Sequence, residues 1–132
     1  MRPPRKPLRS TVIIVEDDPS VLGSLKFALE VGGWDVRAHA TPEALLQAGA
    51  LPKRSCLVVD YRLPGMNGLD LVRRLRAAGA RLPAVLMTTS NRALQGEAAR
   101  AGVPILEKPI ELDQLQRTLR AMLGSKSLAA AA

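Results

Sequence analysis

Short apolar or alternating runs recur five times along the chain, and each gives way to a stretch with helical spacing. That alternation constrains the fold more than any other feature. Thr11-Val12-Ile13-Ile14-Val15 and Leu57-Val58-Val59 are continuous runs, as expected of strands buried on both faces of a parallel sheet. Trp34-Asp35-Val36-Arg37-Ala38 alternates and predicts a strand with one partly exposed face. The stretch 83–89 predicts a fourth strand. Val103 to Glu107 predicts a fifth, and its Pro104 suits a sheet edge.

The intervening segments carry helix signals. Asp18-Pro19 and Thr41-Pro42 each pair a capping residue with proline at the first helical position. Val21, Leu25, Ala28 and Leu29 form the inner stripe of a helix over 19–31, stopped by Gly32-Gly33. A short helix runs from Pro42 through Ala48 to a stop at Gly49. The third helix turns Leu69, Val72 and Leu75 inward, with Arg73, Arg74 and Arg76 largely outside, and Gly79 closes it. A fourth, over about 91–101, is weak because Gly96 lies inside it. The last, over about 111–123, shows Leu112, Leu115, Leu119 and Met122 on one face. The pattern βαβαβαβαβα implies a doubly wound α/β fold, a five-stranded parallel sheet with helices on both faces and strand order 2-1-3-4-5.

A length of 132 residues is one domain. The expected division is a basic, Pro-rich arm over 1–9, the folded domain over 10–124 and a tail over 125–132. Phe27, Trp34 and Tyr61 are the only aromatic residues, too few to build stacking platforms for single-stranded nucleic acid. No apolar run reaches the length of a membrane span, and the basic N-terminus lacks the apolar stretch of a signal peptide, so a cytoplasmic protein is expected. The single Cys56 excludes an intrachain disulfide, and His39 has no helix-spaced metal-binding partner. Of the net charge of +7, Arg2, Arg5, Lys6 and Arg9 supply four units. Such an arm suits nucleic acid, an acidic partner or a solvated tail.

In strand order 2-1-3-4-5 the carboxyl ends of the strands bring Glu16, Asp17 and Asp60 together, with Thr89 and Lys108 beside them. Ligands of open α/β sheets sit at that edge. Carboxylates packed closely repel unless a cation joins them, and oxygen-only ligands suit a hard ion such as Mg²⁺. Mg²⁺ prefers one or two carboxylates plus a phosphate, which points to phosphoryl chemistry with Asp60 as nucleophile. Lys108 would neutralise charge on the transferring group and Thr89 would hydrogen-bond it. Each element has a blander reading too: the acids as a helix cap, Thr89 as a strand-end hydroxyl, Lys108 as a surface lysine.

The residues Val15-Glu16-Asp17-Asp18-Pro19, Asp60-Tyr61-Arg62-Leu63-Pro64-Gly65-Met66-Asn67-Gly68, Thr89 and Lys108-Pro109 resemble the receiver domain of bacterial response regulators, a flavodoxin-like (βα)5 or CheY-like fold. The spacing is most similar to the FixJ-like branch, over about 10–124. The resemblance implies Asp60 as phosphoacceptor. It implies Mg²⁺ held by Glu16, Asp17, Asp60 and the backbone carbonyl of Arg62, with Asp17 binding directly and Glu16 through water. It implies Thr89 and Lys108 as switch hydroxyl and phosphate-pairing lysine, a cis Lys108–Pro109 bond, and Arg62 and Asn91 at positions that tune dephosphorylation. Two departures stand out. Ile105 occupies the place of the family's usual aromatic residue, and the interval from Thr89 to Lys108 is short, which predicts a short or frayed fourth helix.

The expectation is therefore a two-component phosphoacceptor rather than an enzyme. A histidine kinase or phosphotransfer protein would phosphorylate it, and it would then bind an output partner differently. The alternative is a receiver-fold module that binds independently of phosphorylation. Residues 125–132 leave no room for a helix-turn-helix, so a stand-alone regulator or isolated receiver is expected, without direct DNA binding or membrane contact, as a monomer or weak homodimer.

Overall fold

The computed structural model describes residues 10–89 and 92–131. The expected arm over 1–9 lies outside the described residues, as does Asn91. Five strands and five helices alternate: β1 (Thr11–Val15), α1 (Pro19–Val31), β2 (Asp35–His39), α2 (Pro42–Leu46), β3 (Ser55–Asp60), α3 (Gly68–Ala77), β4 (Ala84–Thr88), α4 (Arg92–Arg100), β5 (Ile105–Glu107) and α5 (Leu112–Ala131). The strands form one parallel sheet in the order β2-β1-β3-β4-β5. This is the predicted topology, and its switch point falls between β1 and β3, where Val15 pairs with Val59.

The two faces of the sheet bury two apolar layers. Ile13, Val15, Leu57, Val59 and Leu86 meet α3 through Leu69, Val72 and Leu75, and α4 through Leu94 and Ala98. Val12, Ile14, Val58, Val85 and Met87 meet α1 through Leu25 and Leu29, and α5 through Leu115, Leu119 and Leu123. Each Val, Leu, Ile or Met side chain among them contributes about 1.5–3 kcal/mol when fully buried, so the strand ends project from the best-packed part of the molecule. The central strands β1, β3 and β4 are buried along their whole length.

Helix starts follow the sequence signals. The Asp18 carboxylate accepts from the backbone N–H groups of Ser20 at 2.9 Å and Val21 at 3.3 Å. Thr41 Oγ1 accepts from Ala44 N at 3.1 Å. A third cap, Asn67, accepts from Asp70 N at 2.8 Å and starts α3 after the Pro64-Gly65 turn.

Several boundaries differ from expectation. Trp34 precedes β2 and packs inward with the α1–α5 layer, donating from Nε1 to Gln116 Oε1 at 3.3 Å. β5 is only three residues long, beginning after Pro104, whose carbonyl still accepts from Leu86 N at 2.9 Å. The missing proline N–H explains the late start. α4 is short, as expected, with nine residues and only Leu94 and Ala98 buried. α5 continues to Ala131 rather than stopping near 123, because the alanines beyond Gly124 are the strongest helix formers. Its inner stripe is Leu115, Leu119 and Leu123, with Leu112 and Met122 at the margin.

Candidate functional site

Each of the three acids sits where a strand has just ended. Glu16 follows β1, and its N–H donates to the carbonyl of His39, at the end of β2, at 3.1 Å. Its side chain is buried, at 1% exposure, while Asp17 beside it is exposed. Asp60 ends β3 and is 4% exposed. Carboxylate oxygens of Glu16, Asp17 and Asp60 all lie within 4.8 Å of one another. Asp18 is turned away as the cap of α1, so the acid triple divides into a site pair and a helix cap.

Lys108 reaches the same place from the end of β5. Its Nζ lies 3.2 Å from Asp60 Oδ1 and 3.7 Å from Glu16 Oε1. The N–H of Lys108 donates to the carbonyl of Thr88 at 2.9 Å, which ties the end of β5 to the end of β4. The Lys108–Pro109 peptide bond is cis. Arg62 N donates to Asp60 Oδ1 at 3.3 Å. The loop that carries Arg62 closes on itself, with Gly68 N donating to Tyr61 O at 2.8 Å.

Gly68 is placed so that no side chain fits. A Cβ there would lie 2.4 Å from the Asp60 carbonyl oxygen and 2.9 Å from Val59 Cγ1. The first turn of α3 thus packs directly on the backbone of the residue that ends β3.

The electrostatics of the cluster are unbalanced. Burial, a hydrogen bond with Asp60 and the negative charge of Asp60 push the Glu16 carboxyl up to about 8, against the opposing pull of Lys108. Glu16 Oε2 is buried without a hydrogen-bond partner. An orphaned carboxylate oxygen inside a set of three carboxylates is the donor chemistry of a hard divalent cation. The residues present therefore fit Mg²⁺. His39, beside them on β2, is held below its ordinary pKa by burial and by Arg37.

The sequence predicts Thr89 as the hydroxyl delivered by strand four, and two adjacent threonines stand at that strand end. β4 ends one residue earlier, at Thr88, which is 4% exposed. Thr89 lies just beyond the strand and is exposed. The strand is buried on both faces, so no period-two pattern distinguishes two adjacent threonines from sequence alone. Their burial separates them, and it is set by the tertiary fold.

Comparison with known proteins identifies the family and the fold. Residues 12–120 match the model of the family described as response regulator receiver domain. The chain is 38% identical over 115 residues to the transcriptional regulatory protein FixJ of Azorhizobium caulinodans, covering 86% of this chain and 54% of that protein. It is 33% identical over 123 residues to the FixJ protein of Bradyrhizobium diazoefficiens, covering 90% and 59% respectively. Among solved structures, FixJ-N superposes with a TM-score of 0.77 at 30% identity, covering 88% of this chain and 94% of that one. The signal receiver domain of a putative LuxO repressor from Vibrio parahaemolyticus superposes at 0.84, covering 94% and 97%, and at 23% identity shows the fold alone.

The chain belongs to the receiver domains of two-component response regulators. Members of this family are signalling domains that are phosphorylated by histidine kinases and bind Mg²⁺ in an acidic pocket. The chain spans a little over half the length of these two FixJ relatives. Among the described residues, no helix is long and apolar enough to cross a membrane.

Proposed function

We propose that this chain is a Mg²⁺-dependent phosphoacceptor in which Asp60 receives a phosphoryl group from a phosphohistidine of a kinase or phosphotransfer protein. The observation that carries the reading is the convergence of Lys108 Nζ on Asp60 Oδ1 at 3.2 Å beside two further carboxylates. A carboxylate oxygen of Asp60 attacks phosphorus and the P–N bond breaks. The bonding pair leaves on the imidazole nitrogen, and an acyl phosphate forms. Glu16, Asp17, Asp60 and the Arg62 carbonyl would hold the Mg²⁺, which when bound offsets charge on the phosphoryl oxygens. Lys108 supports Asp60 before transfer and the acyl phosphate after it. Burial of Glu16 and Asp60 keeps water from screening these charges.

The hydroxyl that meets the phosphoryl group is assigned to Thr88, on its burial and its link to Lys108, with Thr89 as the alternative. Thr88→Ala should then slow the switch response while Thr89→Ala leaves it close to the parent. The reading implies a bacterial cytoplasmic setting and an output partner that distinguishes the two phosphorylation states. Intact-protein mass spectrometry after incubation with Mg²⁺ and acetyl phosphate tests it. One phosphoryl group should be gained by the parent and none by Asp60→Asn. A gain in the variant would move the acceptor elsewhere, and indifference of partner binding to phosphodonor and Mg²⁺ would favour a binding-only module.

A further inference from the structure

Basic residues gather at one part of the fold, where the chain enters β3, β4 and β5, while the entry to β2 carries Glu30 and Asp35. All five strands are parallel, so their amino ends share the edge opposite to Glu16, Asp60 and Lys108. β3, β4 and β5 are neighbours, so the connections that enter them lie side by side. Residues 50–54, 74–83 and 98–104 hold Lys53, Arg54, Arg74, Arg76, Arg81 and Arg100, and no carboxylate. All but Arg76 are exposed. Arg76 and Arg81 line an open depression of about 550 Å³ with Leu82 and Pro83. Arg54 Nε donates to Ser10 Oγ at 3.2 Å.

Helix dipoles account for part of this. Cations stabilise helix carboxyl ends, and Arg74, Arg76 and Arg100 stand in last turns. Lys53, Arg54 and Arg81 precede strands, where no such dipole acts, so the clustering needs a further reason. Five of the six are arginines, whose planar forks match phosphate oxygens. None of the three segments carries an aromatic residue, so bases have nothing to stack on. The patch spans two strand intervals and the helix layer behind, roughly 10 Å each way, wide enough for several phosphates of a duplex.

We infer that the part of the amino edge where the chain enters β3, β4 and β5 is a sequence-independent docking surface for the phosphate backbone of duplex nucleic acid. The contact reads no bases and needs no helix-turn-helix, so it revises the expectation of no direct DNA binding, which rested on the lack of room for that motif. The inference stands apart from the phosphoacceptor reading, since it uses the opposite edge.

The test is fluorescence anisotropy of the full chain with a labelled random-sequence DNA duplex across a salt series. Affinity should fall by about two to three orders of magnitude between about 50 and about 200 mM salt, as roughly five phosphate contacts require at a slope of about −0.9 each. Arg74→Ala/Arg81→Ala/Arg100→Ala should weaken binding at least about tenfold and flatten the slope by about two to three units. Lys53→Ala alone should give a smaller loss of the same sign. The charge-matched Lys26→Ala/Arg37→Ala/Arg117→Ala, on exposed positions elsewhere, should stay within about twofold of the parent. Absence of binding near 50 mM salt overturns the inference. So does an equal loss in both triple variants, which would make the effect one of net charge. Displacement by polyglutamate as effective as by unlabelled duplex would assign the surface to an acidic protein instead.

Discussion

The two edges of this sheet handle charge in opposite ways. At the carboxyl edge, Glu16 and Asp60 are buried, Lys108 is drawn in over them, and one carboxylate oxygen has no partner. At the amino edge the guanidiniums are mostly exposed, and Arg76 alone reaches inward, to the carbonyl of Ala101 beyond α4. Charge at the first edge is confined in a low-dielectric setting, where burial and Asp60 raise the Glu16 carboxyl against the pull of Lys108. Charge at the second is mostly exposed and is screened within about 8–10 Å at ordinary salt. The first arrangement costs stability and suits chemistry. The second costs little and suits association. Backbone placement produces both, since parallel strands put every β-to-α connection at one edge and every α-to-β connection at the other.

Perturbing the buried edge should therefore have large local effects. Lys108→Ala removes the only cation within 4 Å of Asp60 among the described residues, and phosphoryl uptake should fall about 10²-fold by mass-spectrometric time course. A matched loss of charge at the amino edge, such as Arg81→Ala, should leave uptake unchanged.

The pH response sharpens the contrast. Glu16 titrates near 8 in the folded protein against 4.5 for an unperturbed carboxyl, so the native state holds a proton that the unfolded chain has released between those values. By linkage, this group's contribution to stability is full below about 4.5, declines as pH rises and is gone above about 8. Urea denaturation without metal should show that decline, Glu16→Gln should remove it, and saturating Mg²⁺ should oppose it by binding the ionised form. A pH-independent stability in the parent would contradict the unbalanced cluster.

Gly68→Ala should cost about 1–3 kcal/mol in denaturant unfolding, because its Cβ would lie 2.4 Å from the Asp60 carbonyl and one of the two must move. Uptake should fall with it, whereas Leu75→Ala, destabilising through the same core but remote from Asp60, should spare uptake at temperatures where it is folded. The smallest effect expected is a gain. Gly96→Ala in α4 meets only the end of Arg100, at 3.9 Å, and should stabilise by about 0.5–1 kcal/mol without altering uptake.

Much of this was legible in the sequence, for identifiable reasons. β1 and β3 are unbroken apolar runs, and the Asp18-Pro19 and Thr41-Pro42 signals locate the starts of α1 and α2 without tertiary help. The acidic group followed once strand order was inferred. The burial of Thr88 against the exposure of Thr89 was not legible, since the two differ only in where the strand ends. Nor was the burial of Glu16 against the exposure of Asp17, which depends on the fold around two adjacent acids of similar chemistry. The extent of α5 was missed because Gly124-Ser125 reads locally as a stop while the alanines beyond it favour continuation. The Asn67 cap was hidden behind the stronger Pro64-Gly65 turn signal. Arg76 looked like its solvated neighbours, and only the position of Ala101 makes it a bridge between α3 and α4.

The most direct test of the buried carboxyl edge as the phosphorylation site is an amide NMR titration with Mg²⁺ and then the phosphoryl mimic beryllofluoride. The account predicts that Mg²⁺ first shifts the amides around Glu16, Asp17, Asp60 and Arg62, and that the mimic then shifts those of Thr88 and Lys108. The amides of Arg54, Arg81 and Arg100 should stay in place at the Mg²⁺ step. Shifts confined to the amino edge, or none at the strand ends with either addition, would contradict it.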